Sequence, residues 1–161
     1  AFLPDGILDE LPRPSQIGAA SIGGVDVNKA RIRATLAAVL ALAVAPDGLT
    51  VAQLAARVHT MTGQTTHEYS TRQAAYDLRK LRGKQLVVKP GRTRPYHVPA
   101  EAARTIAALT VLRDHFVGPI LAGVRTPRRG PKPSTWTRID DDYQTLRLNK
   151  QTLFSDLGIA A

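Results

Sequence analysis

The chain has 161 residues, a hydrophobic fraction of 43% and a formal net charge of +9 at pH 7. This length and composition predict one globular domain with flanking segments. The absence of cysteine excludes disulfides and thiolate metal sites and suits a reducing, cytoplasmic compartment. The longest nearly apolar run, residues 35–46, is too short to span a bilayer, so no membrane partner is expected.

Positive charge is concentrated in two blocks rather than spread along the chain. Residues 70–100 contain eight Lys and Arg residues and one acid, a local charge of +7. Residues 125–138 contain five basic residues and no acid, and the remaining residues carry a net charge of −3. Two concentrated cationic blocks favour a polyanionic partner, nucleic acid ahead of a membrane surface or a protein.

The first predicted elements are an arm and an apolar helix. Residues 1–26 contain three prolines and four glycines, which indicates an extended N-terminal arm. Asp26 is placed to cap a helix over about 27–45, where Ala and Leu give high helix propensity. The chain begins without methionine, and two explanations stay open: the C-terminal piece of a longer bacterial protein, or simple removal of Met.

Two further helices follow, over 50–61 and 71–82. Thr50 with Gln53, and Ser70 with Gln73, have the spacing of capping boxes, in which two side chains satisfy orphan N–H groups at a helix start. Apolar residues at helical spacing define the inward face of the second of these helices. They are Ala74, Ala75, Leu78 and Leu81.

The C-terminal half predicts a hairpin, a helix, a linker and a last helix. The segments "LVVK" and "PYHV" are rich in β formers around Pro90-Gly91 and predict a hairpin over 86–98, named the basic hairpin below. A helix over about 100–117, a basic Pro-rich linker over 123–138 and a helix from 139 to about 156, within a C-terminal segment 139–161, complete the chain. The fold class expected is mainly α with a small β-hairpin.

The helix over 71–82 and the basic hairpin carry most candidate nucleic-acid contacts. A helix is slim enough for the DNA major groove, where Arg can bond guanine, Gln can bond adenine, and Lys or Tyr can reach phosphates. The outward and flanking candidates are Arg72, Gln73, Tyr76, Arg79, Lys80 and Lys84. The basic hairpin adds Lys89, Arg92 and Arg94, and the linker adds Arg128, Arg129 and Lys132 as phosphate contacts.

Three stretches give the chain a resemblance to a known family. They are "LTVAQLAARV", "YSTRQAAYDLRKLRGKQLV" and "KPGRTRPYHVPAE". Over residues 27–122 the chain resembles winged helix–turn–helix domains of the MarR-like bacterial regulator type. The resemblance implies duplex DNA binding through helix 71–82 and the wing 86–98, with roles in transcription regulation or targeting and a nucleoid-associated location. The loop from about 61 to 69 is longer than the usual turn of such domains.

Other functions remain as alternatives. The basic surface also suits an RNA-binding or ribonucleoprotein module, although few exposed aromatics are expected for base stacking. Helix 100–117 and the C-terminal helix can instead form a homodimer or a contact within a larger protein. Catalysis finds little support, because the four histidines are scattered and Asp140–Asp142 lie at a helix start, where they complement the macrodipole. No enzyme activity, metal or cofactor is expected for this segment.

Overall fold

The protein is mainly helical, and a computed structural model describes its residues 3–91, 95–118 and 137–156. The chain divides into two compact units, Ala1–Arg113 and Asp114–Ala161. Among the described helices, none combines the length and the apolar character that crossing a membrane requires.

The first unit contains five helices and one two-stranded sheet within its described residues. Its elements are α1 (Ile7–Glu10), β1 (Ser15–Ile17), β2 (Ala20–Ile22), α2 (Ala30–Leu42), α3 (Val51–Thr62), α4 (Thr71–Gly83) and α5 (Ala100–Leu112). A π-helical turn, Arg113–Val117, follows α5, and α6 spans Arg138–Asp156. The predicted helices are therefore present, and the helix predicted over 100–117 changes its winding after Leu112.

The N-terminal arm is not extended, contrary to the sequence prediction. After the short α1, strands β1 and β2 pair antiparallel with Ser15 opposite Ile22 and Ile17 opposite Ala20. We call this ladder the N-terminal hairpin (residues 15–22). Its two-residue connection begins at Gly18, whose φ of 60° suits the turns that join tightly paired strands. The hairpin is short and has few β formers, so the composition of this segment gave little indication of strands, and an extended arm was predicted instead.

The start of α2 also differs from the prediction. Asp26 does not cap the helix; its Oδ1 accepts a hydrogen bond from the Asn28 N–H at 2.9 Å. This local turn delays the helix, which begins at Ala30 with Lys29 as its N-cap. Asp side chains favour such turns because they offer the backbone an alternative hydrogen-bond partner.

The two capping boxes are confirmed. The Thr50 hydroxyl accepts from the Gln53 N–H, and the Gln53 side chain accepts from the Thr50 N–H. Ser70 and Gln73 make the same reciprocal pair at the start of α4. These local hydrogen bonds satisfy N–H groups at the starts of α3 and α4 that have no partner within the helix.

The basic hairpin turns back on itself, but with little strand pairing in its described residues. Val88 and His97 form one antiparallel bridge with two N–H···O bonds of 2.8 Å. Tyr96 forms a second bridge with Leu49, the residue before the α3 cap. Gly91 lies in a turn and has a φ of 53°. The predicted strands are thus reduced to single bridged pairs.

Helices α2, α3, α4 and α5 surround the core of the first unit. Buried residues from all four, and from the segments that join them, form one apolar cluster. Its largest fully buried side chains include Ile32, Leu36, Leu54, Leu78, Leu81, Ile106 and Leu109. The cluster holds α4 by one face along its whole length, which leaves the opposite face of α4 outside the core.

The two predicted partner surfaces differ in exposure. Leu109 of α5 is buried in the core of the first unit, so it is not part of an outer surface. In the second unit, Phe116 is 58% exposed, and Leu146 and Leu148 on α6 are about half exposed. Most of the predicted linker over 123–138 lies outside the described residues.

Candidate nucleic-acid interface

The face of α4 that points away from the core is cationic. Arg72 and Arg79 are exposed, and Tyr76 between them is 42% exposed. These three residues recur at intervals of four and three, so they line one side of the helix. We call them the outward face of α4. The buried residues Ala74 and Leu78 lie on the other side, as the sequence predicts.

Asp77, the single acid of α4, is fully buried. Its Oδ1 lies 3.2 Å from Nη2 of Arg31, on α2. Its Oδ2 lies 3.3 Å from the hydroxyls of Thr35 and Tyr69. This buried Asp77 network joins α2, α4 and the loop before α4. It also removes the one negative charge of α4 from the surface, so the charged side chains that α4 exposes are all cations.

Burial raises the pKa values of two groups in this network, Asp77 and Tyr69. The pKa of Asp77 is raised above its ordinary value, because burial disfavours the carboxylate more than the nearby Arg31 guanidinium and the hydroxyls favour it. The pKa of the Tyr69 hydroxyl is also raised, chiefly by burial, with the Asp77 charge acting in the same direction. Tyr69 therefore stays a neutral hydrogen-bond donor at physiological pH.

The long loop between α3 and α4 has a structural role. Tyr69 is fully buried, and its carbonyl oxygen lies 2.7 Å from His59 Nε2 on α3. Its ring packs edge-on to the His59 ring, with 6.3 Å between centroids. The residues that extend the loop thus end in an aromatic anchor for the start of α4.

Two predicted nucleic-acid contacts, Gln73 for bases and Lys80 for phosphates, are partly occupied within the protein. The Gln73 Oε1 accepts a hydrogen bond of 2.7 Å from the Ser70 N–H. A bidentate contact with adenine needs that oxygen as well as the amide nitrogen, so the capping role competes with base reading. Lys80 is half-buried, and its Nζ lies 5.0 Å from the centroid of the Tyr76 ring, a cation–π contact that holds both side chains.

The remaining candidates are more scattered. Lys84 Nζ donates to the carbonyl oxygen of Glu10, at the end of α1. Lys89 Nζ lies 5.2 Å from the Tyr96 ring centroid. Five predicted phosphate contacts fall outside the described residues. They are Arg92, Arg94, Arg128, Arg129 and Lys132.

The N-terminal hairpin packs against the last turns of α4. A Cβ placed on Gly83 would lie 2.7 Å from the Ser15 Cβ and 3.9 Å from the Ile17 Cδ1. A Cβ placed on Gly23, just after β2, would lie 3.3 Å from the Tyr76 hydroxyl oxygen. Gly83 follows Arg79 on the same side of the helix, so the hairpin adjoins the outward face at its C-terminal end.

Sequence reasoning missed both the buried Asp77 network and the N-terminal hairpin. Asp77 occupies the inward stripe, three residues after Ala74 and four before Leu81. That position was a signal of burial, because an acid in an apolar stripe needs an internal partner. The described residues contain no group of three or more His, Asp or Glu side chains able to hold a metal ion.

Comparison of the chain with protein-family models, with curated proteins and with solved structures found no match.

Proposed function

We propose that this chain is a winged helix–turn–helix module that binds duplex DNA through the outward face of α4 and the basic hairpin. One observation carries the proposal: α4 buries its single acid, Asp77, and exposes its arginines. A helix that needed only a soluble surface would gain from exposed acids as well as bases. Separating the two signs across one helix favours a polyanionic partner on the exposed side.

The geometry supports insertion into the major groove. An α-helix with its side chains is about 10–12 Å across, and the major groove is about 12 Å wide. Arg72 and Arg79 lie about two helical turns apart on one side, so both can reach the same stretch of groove. Arg72 is our candidate for base contact, because it lies in the first turn, and Arg79 for phosphate contact.

The basic hairpin would act as the wing. It follows α4 directly, and its bridge to Leu49 ties it to the start of α3. Lys89 is the cation of this hairpin within the described residues, and the proposal for Arg92 and Arg94 rests on the sequence. Phosphate contacts from these residues would fix the position of α4 without carrying base information.

Salt-dependent binding is the test of this function. With about five to eight phosphates neutralised, the slope of log affinity against log salt concentration should be about −5 to −7. Arg79→Ala should reduce the magnitude of that slope by about one. Arg104→Ala removes the same charge from α5, where the Arg104 side chain is largely exposed, and serves as the matched control with an unchanged slope.

Site selection from a random duplex pool separates base reading from general attraction. Arg72→Ala should flatten the enriched motif, since a bidentate base contact discriminates by about 1–3 kcal/mol.

Absence of wild-type binding at low salt would refute the proposal. Equal or tighter binding to single-stranded RNA would favour the RNA-binding alternative, and the whole chain would then act as a ribonucleoprotein module. As a DNA-binding module, the chain would serve either as a transcription regulator or as the targeting segment of a larger protein.

A further inference from the structure

The N-terminal hairpin is fixed to the core at its base. Leu11 before it, Ile22 at its end and Val25 after it are each at most 2% exposed. The Val25 N–H donates to the Leu11 carbonyl oxygen at 2.7 Å and closes the base of the loop. Burial of three apolar side chains on both sides of the ladder holds the hairpin in place. The hairpin is therefore anchored to the first unit at both ends of its base.

Its position leaves the start of α4 open. The hairpin meets α4 at Gly83, through Ser15 and Ile17. Arg72 and Arg79, nearer the N-terminus of α4, remain exposed. A partner that approaches the outward face of α4 thus meets the arginines and the adjacent hairpin together.

The hairpin offers hydrogen bonds without charge. Residues 14–25 contain no ionisable side chain. Gln16 and Ser21 are paired across the ladder and are both exposed. Successive side chains of a strand point to opposite faces, so these two face away from the surface that Ser15 and Ile17 pack against α4. The connection Gly18-Ala19 has minimal side chains, which allows close approach of a large partner.

We infer that the N-terminal hairpin is a second DNA contact, in which Gln16 and Ser21 donate hydrogen bonds to the sugar–phosphate backbone beside the groove that α4 enters. This inference rests on the proposed function. Duplex DNA is the partner we infer because the hairpin lies beside the cationic side of α4. The hairpin has no acidic side chain that would repel the DNA phosphates. Gln and Ser side chains are common phosphate contacts that set register.

Neutral donors have a measurable signature. Phosphate contacts by Lys and Arg release counterions and determine the salt slope, whereas neutral hydrogen bonds add affinity at every salt concentration. The variant Gln16→Ala with Ser21→Ala should weaken binding to duplex DNA by at least about fivefold. The salt slope and the enriched motif should both stay as in the wild-type chain.

A second variant moves the hairpin without touching its polar side chains. Gly83→Ala places a Cβ 2.7 Å from the Ser15 Cβ, so the hairpin must shift. Adding Ser15→Gly removes that Cβ and its hydroxyl and reopens the space. Gly83→Ala should weaken binding to a similar degree, and the double variant should recover most of the lost affinity.

The outcomes distinguish this inference from the proposed function. No salt-sensitive binding by the wild-type chain overturns both. Wild-type binding with an unaffected Gln16→Ala, Ser21→Ala variant overturns the hairpin contact alone, as does a flattened motif, because the contact would then be to bases. Tighter binding by Gly83→Ala also overturns it, since the hairpin would then be an obstruction. If Gly83→Ala fails to fold by circular dichroism, the Gln16 and Ser21 variant decides.

Discussion

The N-terminal hairpin and the basic hairpin are two short antiparallel segments that differ in pairing, charge and connection to the core. The first has a ladder of three residue pairs and no charge. The second has one internal bridge, between Val88 and His97, and one bridge to Leu49. One gains order from its own ladder and from packing against α4. The other is bridged to Leu49, the residue before α3, and buries Leu86, Val87 and Tyr96 in the core, so it is held by a different part of the chain.

The comparison shows that the strength of the local β-strand signal in the sequence does not determine how much strand pairing a segment makes. The basic hairpin has the stronger local signals, a Pro-Gly turn between β-rich segments, yet it has less strand pairing in its described residues. The N-terminal hairpin has few β formers, and its position depends on contacts with α4, far along the chain. Non-local packing can thus order a segment that local propensity leaves undecided.

Gly48→Ala is expected to have the largest effect and to break the base of the basic hairpin. Gly48 has a φ of 77°, and an added Cβ would lie 2.4 Å from the Tyr96 carbonyl oxygen. Backbone strain and overpacking together should lower the free energy of unfolding by about 2–4 kcal/mol, measured by urea denaturation.

Gly63→Ala is the matched control for Gly48→Ala. Gly63 has a φ of 69°, and no atom lies within 4 Å of the added Cβ. Its cost should be limited to the backbone term of about 1–2 kcal/mol. Equal losses from the two substitutions would show that the contact with Tyr96 contributes nothing.

Gly24→Ala should have the next largest effect and should disturb the N-terminal hairpin instead. The added Cβ would lie 2.0 Å from the Pro12 carbonyl oxygen, so the backbone at the hairpin base must move. We expect a loss of about 1–3 kcal/mol in the free energy of unfolding. Hydrogen exchange should accelerate at residues 15–22 while the Val88 and His97 amides keep their protection. Equal loss of protection in both hairpins would mean that they open as one cooperative unit.

The smallest effect expected is a pH dependence at the buried Asp77 network, which joins α4 to α2 and to the loop before α4. Because the folded-state pKa of Asp77 is raised, its ionisation opposes folding. Its contribution to stability is therefore largest at acidic pH and falls as pH rises through the raised pKa. Asp77→Asn cannot ionise, so the stability of the wild-type chain relative to this variant should decrease from acidic to neutral pH.

Glu68 should give the opposite dependence of stability on pH. Hydrogen bonds from the Thr65 N–H and hydroxyl lower the pKa of Glu68. Its contribution is present above its ordinary pKa and is lost as pH falls through the lowered value. Relative to Glu68→Gln, the wild-type chain should therefore gain stability with rising pH. If the stability of the wild-type chain relative to Asp77→Asn also rose with pH, the Arg31 ion pair would outweigh the effect of burial on Asp77.

Sequence reasoning succeeded where the determining interactions are local. The capping boxes at Thr50 and Ser70 involve residues three apart, and the inward stripe of α4 follows from helical spacing. These features predicted α3, α4 and the exposure of Arg72 and Arg79 closely. The wrong assignment of Asp26 as a cap was a choice between two local hydrogen-bond patterns that composition does not decide.

The features that sequence reasoning missed depend on distant partners. Asp77 is buried because Arg31 and Tyr69 reach it from other elements. The N-terminal hairpin docks because Gly83 leaves room for Ser15. Neither partner can be identified from spacing within one helix or one strand. The tie between Gln73 and Ser70 was visible in the sequence, but its competition with base reading needs the geometry of the hydrogen bond.

The contact of Lys84 with Glu10 joins residues 74 positions apart, and this separation has a consequence for biosynthesis. At translation rates of about 5–20 residues per second, the segment around Glu10 is made roughly 4–15 s before its partner exists. The N-terminal hairpin is synthesised before α4 and therefore cannot dock until α4 has been made. A nascent chain halted before α4 should leave residues 15–22 open to proteases, and release of α4 from the ribosome should protect them.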